Sequence, residues 1–316
     1  MDHNLALVLG GGGAAGNAWA IGIVAGLAEA GLDLTETADL VIGTSSGATA
    51  AAQVRSGIPA AELLAAIVSA PVRPAGQHGP GGPGGPGARG AQNQNRPPSL
   101  PAETVFARMR AISAAATSAA ELQRAMGAFG LESDAVLAPG AAQRRALVAS
   151  RLPHPEWPER PMIVAALNAH TGELTAFDRD SGVELVDAVT ASTALPGMAP
   201  THDINGTHYI NGGVRSTENA DLATGYANVL VLTPLTRRSQ TPPPPGQFEG
   251  LRRLPGADLD SQVETLRRQG SRVEVITPDA DSVAAMGTDQ MDLATRAPSA
   301  RAGYAQGRRE AARLTF

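Results

Sequence analysis

The chain has 316 residues, of which 43% are hydrophobic and 17% charged, with a formal net charge of −5. That length and apolar content suit one α/β unit with insertions around a sizeable core. The acidic balance, with no basic stripe, argues against a nucleic-acid partner, and the absence of cysteine excludes disulfides, thiolate metal sites and a cysteine nucleophile.

Met1-Asp2-His3-Asn4 leads into an apolar strand with no positively charged leader, so no signal peptide and a cytoplasmic location are expected. Leu5–Leu9 reads as a buried strand that ends in glycines. Ala18–Ala30 reads as a helix closed by Gly31. Its apolar stretch, Ala18 to Ala28, is interrupted by Gly22 and Gly26 and is too short to span a bilayer. Asp39–Ile42 is a second buried strand, followed by Gly43-Thr44-Ser45-Ser46-Gly47. An Ala-rich helix then runs to about Arg55 and stops at Gly57. Two strand–helix units in succession predict a mostly parallel sheet in an α/β fold.

Further along, residues 74–101 are low in complexity, built from Gly, Pro, Gln and Asn, and are predicted to be a disordered insertion. Residues 102–150 are predicted to be a helical insertion, with a capping box at Ser118 and Glu121. Val105, Met109, Ile112 and Ala116 share one face, which favours core packing over a cap on a lipid cleft. Met162–Asn168 and Glu173–Asp178 form a strand pair around a turn containing Gly172. Asn205-Gly206 marks a hairpin, whose second arm, Thr207–Ile210, delivers Asn211-Gly212-Gly213 into a turn. Asn228–Thr233 is a buried strand, and Thr241–Gln247, with four consecutive prolines, an exposed loop. Asp258–Gln269 is a helix, Arg272–Thr277 a last strand, and an Arg-rich helix follows.

Gly43-Thr44-Ser45-Ser46-Gly47 carries the strongest chemical signal. A G-x-S-x-G run between a buried strand and a helix is the setting of a nucleophile elbow. Side chains at Gly43 and Gly47 would collide with neighbouring backbone. Ser45 is projected at a helix N-terminus, where N–H groups and the dipole favour developing negative charge. The second signal is Gly10-Gly11-Gly12-Gly13-Ala14-Ala15-Gly16, which matches G-x-G-x-x-G through Gly11, Gly13 and Gly16. Its open backbone N–H groups suit an anion, either a dinucleotide pyrophosphate or the oxyanion of an acyl intermediate. A dinucleotide site wants an acidic residue after the second strand, and here that strand ends in the serine turn instead. The pair of motifs therefore favours acyl transfer.

The glycine loop on the first strand, the early G-x-S-x-G and the later Asn211-Gly212-Gly213 after a strand resemble the patatin-like phospholipase family. The likeness extends to an Ala/Ser-rich helix at Asp187–Pro196 and to Arg215–Leu222. All 25 basic residues are arginine, and with Ala and Gly so abundant the expected source is a GC-rich bacterial genome. The resemblance implies a three-layer α/β/α fold with a central mostly parallel sheet, and hydrolysis of acyl esters or lipids through a Ser–Asp dyad. It implies Ser45 as nucleophile, and the amides of Gly11, Gly12 and Gly13 as an oxyanion hole. It places the general base at position 211 and needs no metal or cofactor. It leaves a peripheral contact with a membrane open.

Position 211 departs from the pattern, because Asn stands where the family's Asp belongs. An amide cannot take up the Ser45 proton near neutral pH, so a weakened dyad is expected. Two alternatives are deamidation at Asn211-Gly212 and substitution by a nearby acid, Asp203, Glu218 or Asp221. The asparagine also admits a catalytically silent acyl-lipid or protein binding module, and the glycine loop a dinucleotide-binding protein. His202, Asp203 and His208 flank the hairpin, which explains them without a metal. Trp19 and Trp157 read as packing residues.

Overall fold

In the computed structural model, residues 4–71, 98–235 and 258–314 are described. The predicted disordered insertion lies mainly outside them, and so does the proline loop at 241–247. The strands are β1 (Leu5–Leu9), β2 (Leu40–Thr44), β3 (Met162–Asn168), β4 (Leu174–Phe177), β5 (His202–Ile204), β6 (Thr207–Asn211), β7 (Asn228–Leu232) and β8 (Arg272–Ile276). The helices are α1 (Gly13–Glu29), α2 (Leu34–Thr37), α3 (Ser46–Val54), α4 (Ala60–Ser69), α5 (Ala102–Ala115), α6 (Ala119–Leu137), α7 (Ala141–Ala149), α8 (Leu185–Ser192), α9 (Leu259–Arg268), α10 (Ala280–Met286) and α11 (Arg296–Glu310).

Strands β3, β2, β1, β7 and β8 pair in parallel, and β4, β5 and β6 add antiparallel pairings at one end of the sheet. The continuous apolar runs of β1 and β7 fit strands covered on both faces. Leu5, Leu7 and Leu9 pack with Trp19, Ile23 and Leu27 of α1 and with residues of α3, α4 and α8. Ala6 and Val8, alternating to the opposite face, pack with Ala220, Ala223 and the α9 residues Leu259, Val263 and Leu266. Two apolar layers on one sheet make the α/β/α fold.

The edges of β3 decide where the site forms. Val164 to Leu167 pair with β4 on one edge. A strand has two edges, so the other must serve both remaining partners. It takes β2 along Met162 to Ala165 and then β6 along Ala166 to Asn168. Thus β2 departs at Thr44, opposite Ala165, where β6 arrives at Asn211, opposite Ala166.

Two expectations need correction, and the helical insertion gains detail. The first helix begins at Gly13, not Ala18, because Gly16 N–H bonds Gly12 O (2.9 Å) and Ala15 N–H bonds Gln290 O (3.1 Å). That distant carbonyl gives no local signal. The helical insertion is three helices, α5, α6 and α7, broken at Ala116–Ser118 and by a short turn at Ala138–Gly140 that contains Pro139. At the predicted capping box, the Ser118 hydroxyl accepts Glu121 N–H (3.2 Å), but the Glu121 carboxylate turns to Thr117 rather than to Ser118 N–H. The expected core face is buried at Val105, Met109 and Ala116 and half-buried at Ile112; Val105 and Met109 pack with Phe129, Leu167 and Ile210. Helix α4 was not anticipated.

Candidate active site

Ser45 sits between β2 and α3 with φ 57° and ψ −124°. Such backbone costs about 1–3 kcal/mol for a residue with a side chain and persists only where its surroundings impose it. Here the crowding is severe: a Cβ on Gly43 would lie 2.5 Å from Ala48 Cα, and one on Gly47 would lie 2.0 Å from Leu9 O. The Ser45 N–H donates to the hydroxyl of Ser192 (2.8 Å), a fully buried residue at the end of α8. Thr44 is held from its side chain, donating to Glu218 O (3.2 Å) and accepting from Asn219 Nδ2 (3.1 Å).

Asn211 meets Ser45 as the two strand ends require. Its Nδ2 donates to Ser45 Oγ at 3.0 Å, and its Oδ1 accepts Gly213 N–H at 2.7 Å. The orientation of the amide follows from chemistry. Gly213 N–H can only donate, so the atom facing it is the oxygen. The backbone N–H of Asn211 bonds Ala194 O (2.9 Å), two residues beyond Ser192. Asn211 is 5% exposed, with both ends of its side chain bonded.

The glycine loop packs directly on Ser45. A Cβ on Gly11 would lie 3.2 Å from Ser45 Cβ, and a Cβ on Gly12 would lie 2.6 Å from Pro234. Gly16 meets the same proline, and Gly13, at φ 65°, has the Gln290 carbonyl against it. The amides of Gly10, Gly11 and Gly12 are engaged with Leu232 O, Thr217 O (2.8 Å) and Ser46 Oγ (2.8 Å). Gly13 N–H has no acceptor among the described residues. At the other wall, a Cβ on Gly212 would lie 2.4 Å from Ala165 O, and one on Gly213 would lie 2.9 Å from Asn211 Oδ1. Ser45 therefore touches both the glycine loop and Asn211.

The remaining candidates face elsewhere. Asp203 is exposed and accepts Gly206 N–H in the hairpin. Asp221 pairs with Arg215 (2.6 Å), and Glu218 is buried against Thr233. His202 bonds Asp187 (2.8 Å) and His208 bonds Thr201 (2.7 Å). Among the described residues no group of His, Cys, Asp and Glu is arranged to hold a metal. Trp19 is buried with its N–H on Gln306, and the Trp157 N–H meets Val183 O.

Several residues that shape the site had no signal in the sequence. Ser192 and Asn219 act through single hydrogen bonds, and Pro234 and Gln290 through contact with glycines. Asn17 joins α1 to α3 through Gln53 Oε1 (3.0 Å) and Ser46 O (3.4 Å). All lie far in sequence from the groups they hold. Only the Ala/Ser composition of α8 hinted at Ser192.

A strained serine at a strand–helix elbow, under a glycine loop in a three-layer α/β/α fold, defines the class of α/β proteins built around a serine. A family model described as Patatin-like phospholipase matches residues 7–224. The chain therefore belongs to the patatin-like phospholipase family, a family of lipid acyl hydrolases. No curated protein matches the chain. Among the described residues no helix is long and apolar enough to cross a membrane.

Proposed function

We propose that this protein hydrolyses carboxylic esters of acyl lipids through an acyl-Ser45 intermediate, at a rate limited by Asn211. The reading is carried by the Asn211 Nδ2–Ser45 Oγ contact of 3.0 Å at the strained elbow. In the full reaction a base at position 211 takes the Ser45 proton while Oγ attacks the ester carbonyl carbon. The C=O electron pair moves onto oxygen and is held by glycine-loop amides. Collapse releases the alcohol, which takes up the proton. Water then attacks the acyl-serine, the base accepts a proton from it, and the acid leaves as Ser45 is restored. No metal or organic cofactor enters this scheme.

Within the loop, Gly13 N–H is an uncommitted donor among the described residues. Gly12 N–H would join it by releasing Ser46 Oγ, whereas Gly11 N–H is held by Thr217 O. With asparagine at 211, the amide donates to Oγ instead of accepting from it, so the proton has no nearby base. An aspartate in the same pose would keep the Gly213 bond and turn its second oxygen to the hydroxyl.

The test compares p-nitrophenyl butyrate turnover by the chain and by Asn211→Asp. A gain of about 10²–10⁴ is expected, the usual contribution of a positioned base. A folded variant with no gain defeats the dyad. A second reading, a catalytically silent acyl-lipid or protein binding module, is favoured by the donor orientation of the Asn211 amide. A fluorophosphonate probe separates the two. Labelling that disappears in Ser45→Ala supports an activatable serine, and no labelling of the parent or of Asn211→Asp supports the silent module. We further propose one patatin-like domain over 1–316 with insertions at 74–101 and 102–150, acting in the cytoplasm with peripheral membrane contact.

A further inference from the structure

The turn at 289–295 reverses the usual placement of polar and apolar side chains. Gln290 is 7% exposed, and its Oε1 is enclosed with no donor. Met291 beside it is 54% exposed, and Leu293 is 38% exposed. Of the large apolar side chains exposed among the described residues these are two; the third is Val136 on α6. Stability by itself favours the opposite choices. An unpaired enclosed acceptor costs stability, and an exposed thioether gains nothing from burial. Departures of this kind gather at functional sites.

Hydrogen bonds hold this turn without help from the two apolar side chains. Asp289 Oδ1 accepts Met291 N–H (2.9 Å), Asp292 Oδ1 accepts Ala294 N–H (2.9 Å), and Asp292 O accepts the Thr295 hydroxyl (2.7 Å). The Gln290 carbonyl accepts Ala15 N–H (3.1 Å) and so fastens the turn to the start of α1. Met291 is thereby brought against the glycine loop: a Cβ added to Gly13 would lie 3.1 Å from Met291 Sδ. Gly13 N–H has no acceptor among the described residues, and Gly11 of the same loop packs on Ser45. Leu293 lies two residues on, its Cα within about 7 Å of that of Met291.

An ester whose carbonyl oxygen takes the Gly13 N–H has its acyl carbons within reach of the Met291 thioether. Methionine is unbranched and polarisable, and it adapts to flexible apolar ligands. We propose that Met291 and Leu293 receive the acyl chain of the substrate and select esters of medium-length or longer fatty acids over short ones. Asp289 and Asp292, on either side of Met291, weigh against an anionic membrane surface as the occupant. The inference rests on the acyl-ester reading of Ser45 for the substrate's reacting end, whereas the apolar contact needs no base at position 211.

The test compares kcat/KM for p-nitrophenyl octanoate and p-nitrophenyl acetate in the Asn211→Asp background of the full-length protein. The longer ester should be favoured, each buried methylene contributing about fourfold. Met291→Gln keeps the length of the side chain and removes its apolar character. It should lower the octanoate-to-acetate ratio about tenfold, the worth of a side chain that is half-buried by its ligand. Leu293→Gln is the second variant and should lower the ratio too. Both side chains are exposed, so both variants should fold like the parent. Equal loss on the two esters means that Met291 acts on the loop and not on the acyl chain. That result, or an unchanged ratio in both variants, overturns the proposal.

Failure of the hydrolase reading registers separately. If Asn211→Asp turns over neither ester, that reading fails, and calorimetric titration with octanoate decides the apolar site. Binding by the parent that weakens about tenfold in Met291→Gln upholds the site; no binding, or equal binding by both proteins, overturns it. Phosphatidylcholine vesicles that bind the parent but not Met291→Gln, with an unchanged ester ratio, assign a bilayer contact in place of the acyl chain.

Discussion

At position 211 a single exchange of nitrogen for oxygen separates a donor from a base. The pose that an aspartate would adopt is already occupied: one side-chain atom on Gly213 N–H and the other on Ser45 Oγ. The substitution is therefore chemical rather than architectural, and Asn211→Asp should fold like its parent. Ser192 is the positioning residue for the elbow. In Ser192→Ala the Ser45 N–H loses its acceptor, at a cost of about 1–3 kcal/mol. Chemical denaturation should show that loss, and Ser192→Thr, which restores a hydroxyl, should recover most of it. Fluorophosphonate labelling of Ser45 in the Asn211→Asp background should slow in Ser192→Ala beyond what its unfolded fraction explains. Unchanged stability and labelling would remove Ser192 from the site.

Among the elements, α1 and α11 explain the glycines that interrupt the first helix. Gly22 faces Ala300 O and Tyr304 N, and Gly26 faces Tyr304 O; in return Gly303 faces Trp19 O and Gly307 faces Ile23 O. A Cβ at any of these four would lie 2.2–2.4 Å from a backbone oxygen. The two helix backbones therefore touch, and the small residues that looked like weak points in an apolar helix form its contact with α11. Gly303→Ala should destabilise the fold by about 1–3 kcal/mol or more through overpacking, read as a lower denaturation midpoint. An unchanged midpoint would mean that the helices separate without penalty. The same helix contact brings Gln290 to the glycine loop, so the variant should also reduce activity in the Asn211→Asp background.

For the molecule as a whole, pH dependence should follow the contact that ties α7 and α8 to the sheet edge. His202 on β5 bonds Asp187 of α8, which also pairs with Arg145 of α7 (2.7 Å). Burial holds His202 below its ordinary 6.5, outweighing the raising effect of Asp187. The unfolded chain thus accepts a proton near pH 6.5 that the folded chain refuses. Stability is full above that value and falls as pH drops through 6.5 toward the lower folded value. Melting temperatures across pH 8 to about 5 should show this decline, and His202→Gln should flatten it. Burial raises Asp187, but bonds from Arg145 and His202 outweigh it and leave it below 3.8, so its contribution disappears only in stronger acid.

The apolar runs of β1 and β7, the strand–turn–helix context of Ser45 and the Asn205-Gly206 hairpin were legible because each rests on neighbours within a few residues. Period, turn chemistry and glycine placement are local properties. They determined an α/β fold with a serine elbow and a glycine loop, while position 211 was singled out by the resemblance to a family. The tertiary structure decided what those residues do to one another. End-to-end docking of β2 and β6 on one edge of β3 joins Ser45 to Asn211 across 166 residues. The Gln290 carbonyl starts α1 early from the far end of the chain. Such contacts arise from the packing of whole elements, and sequence periodicity is silent about which elements meet.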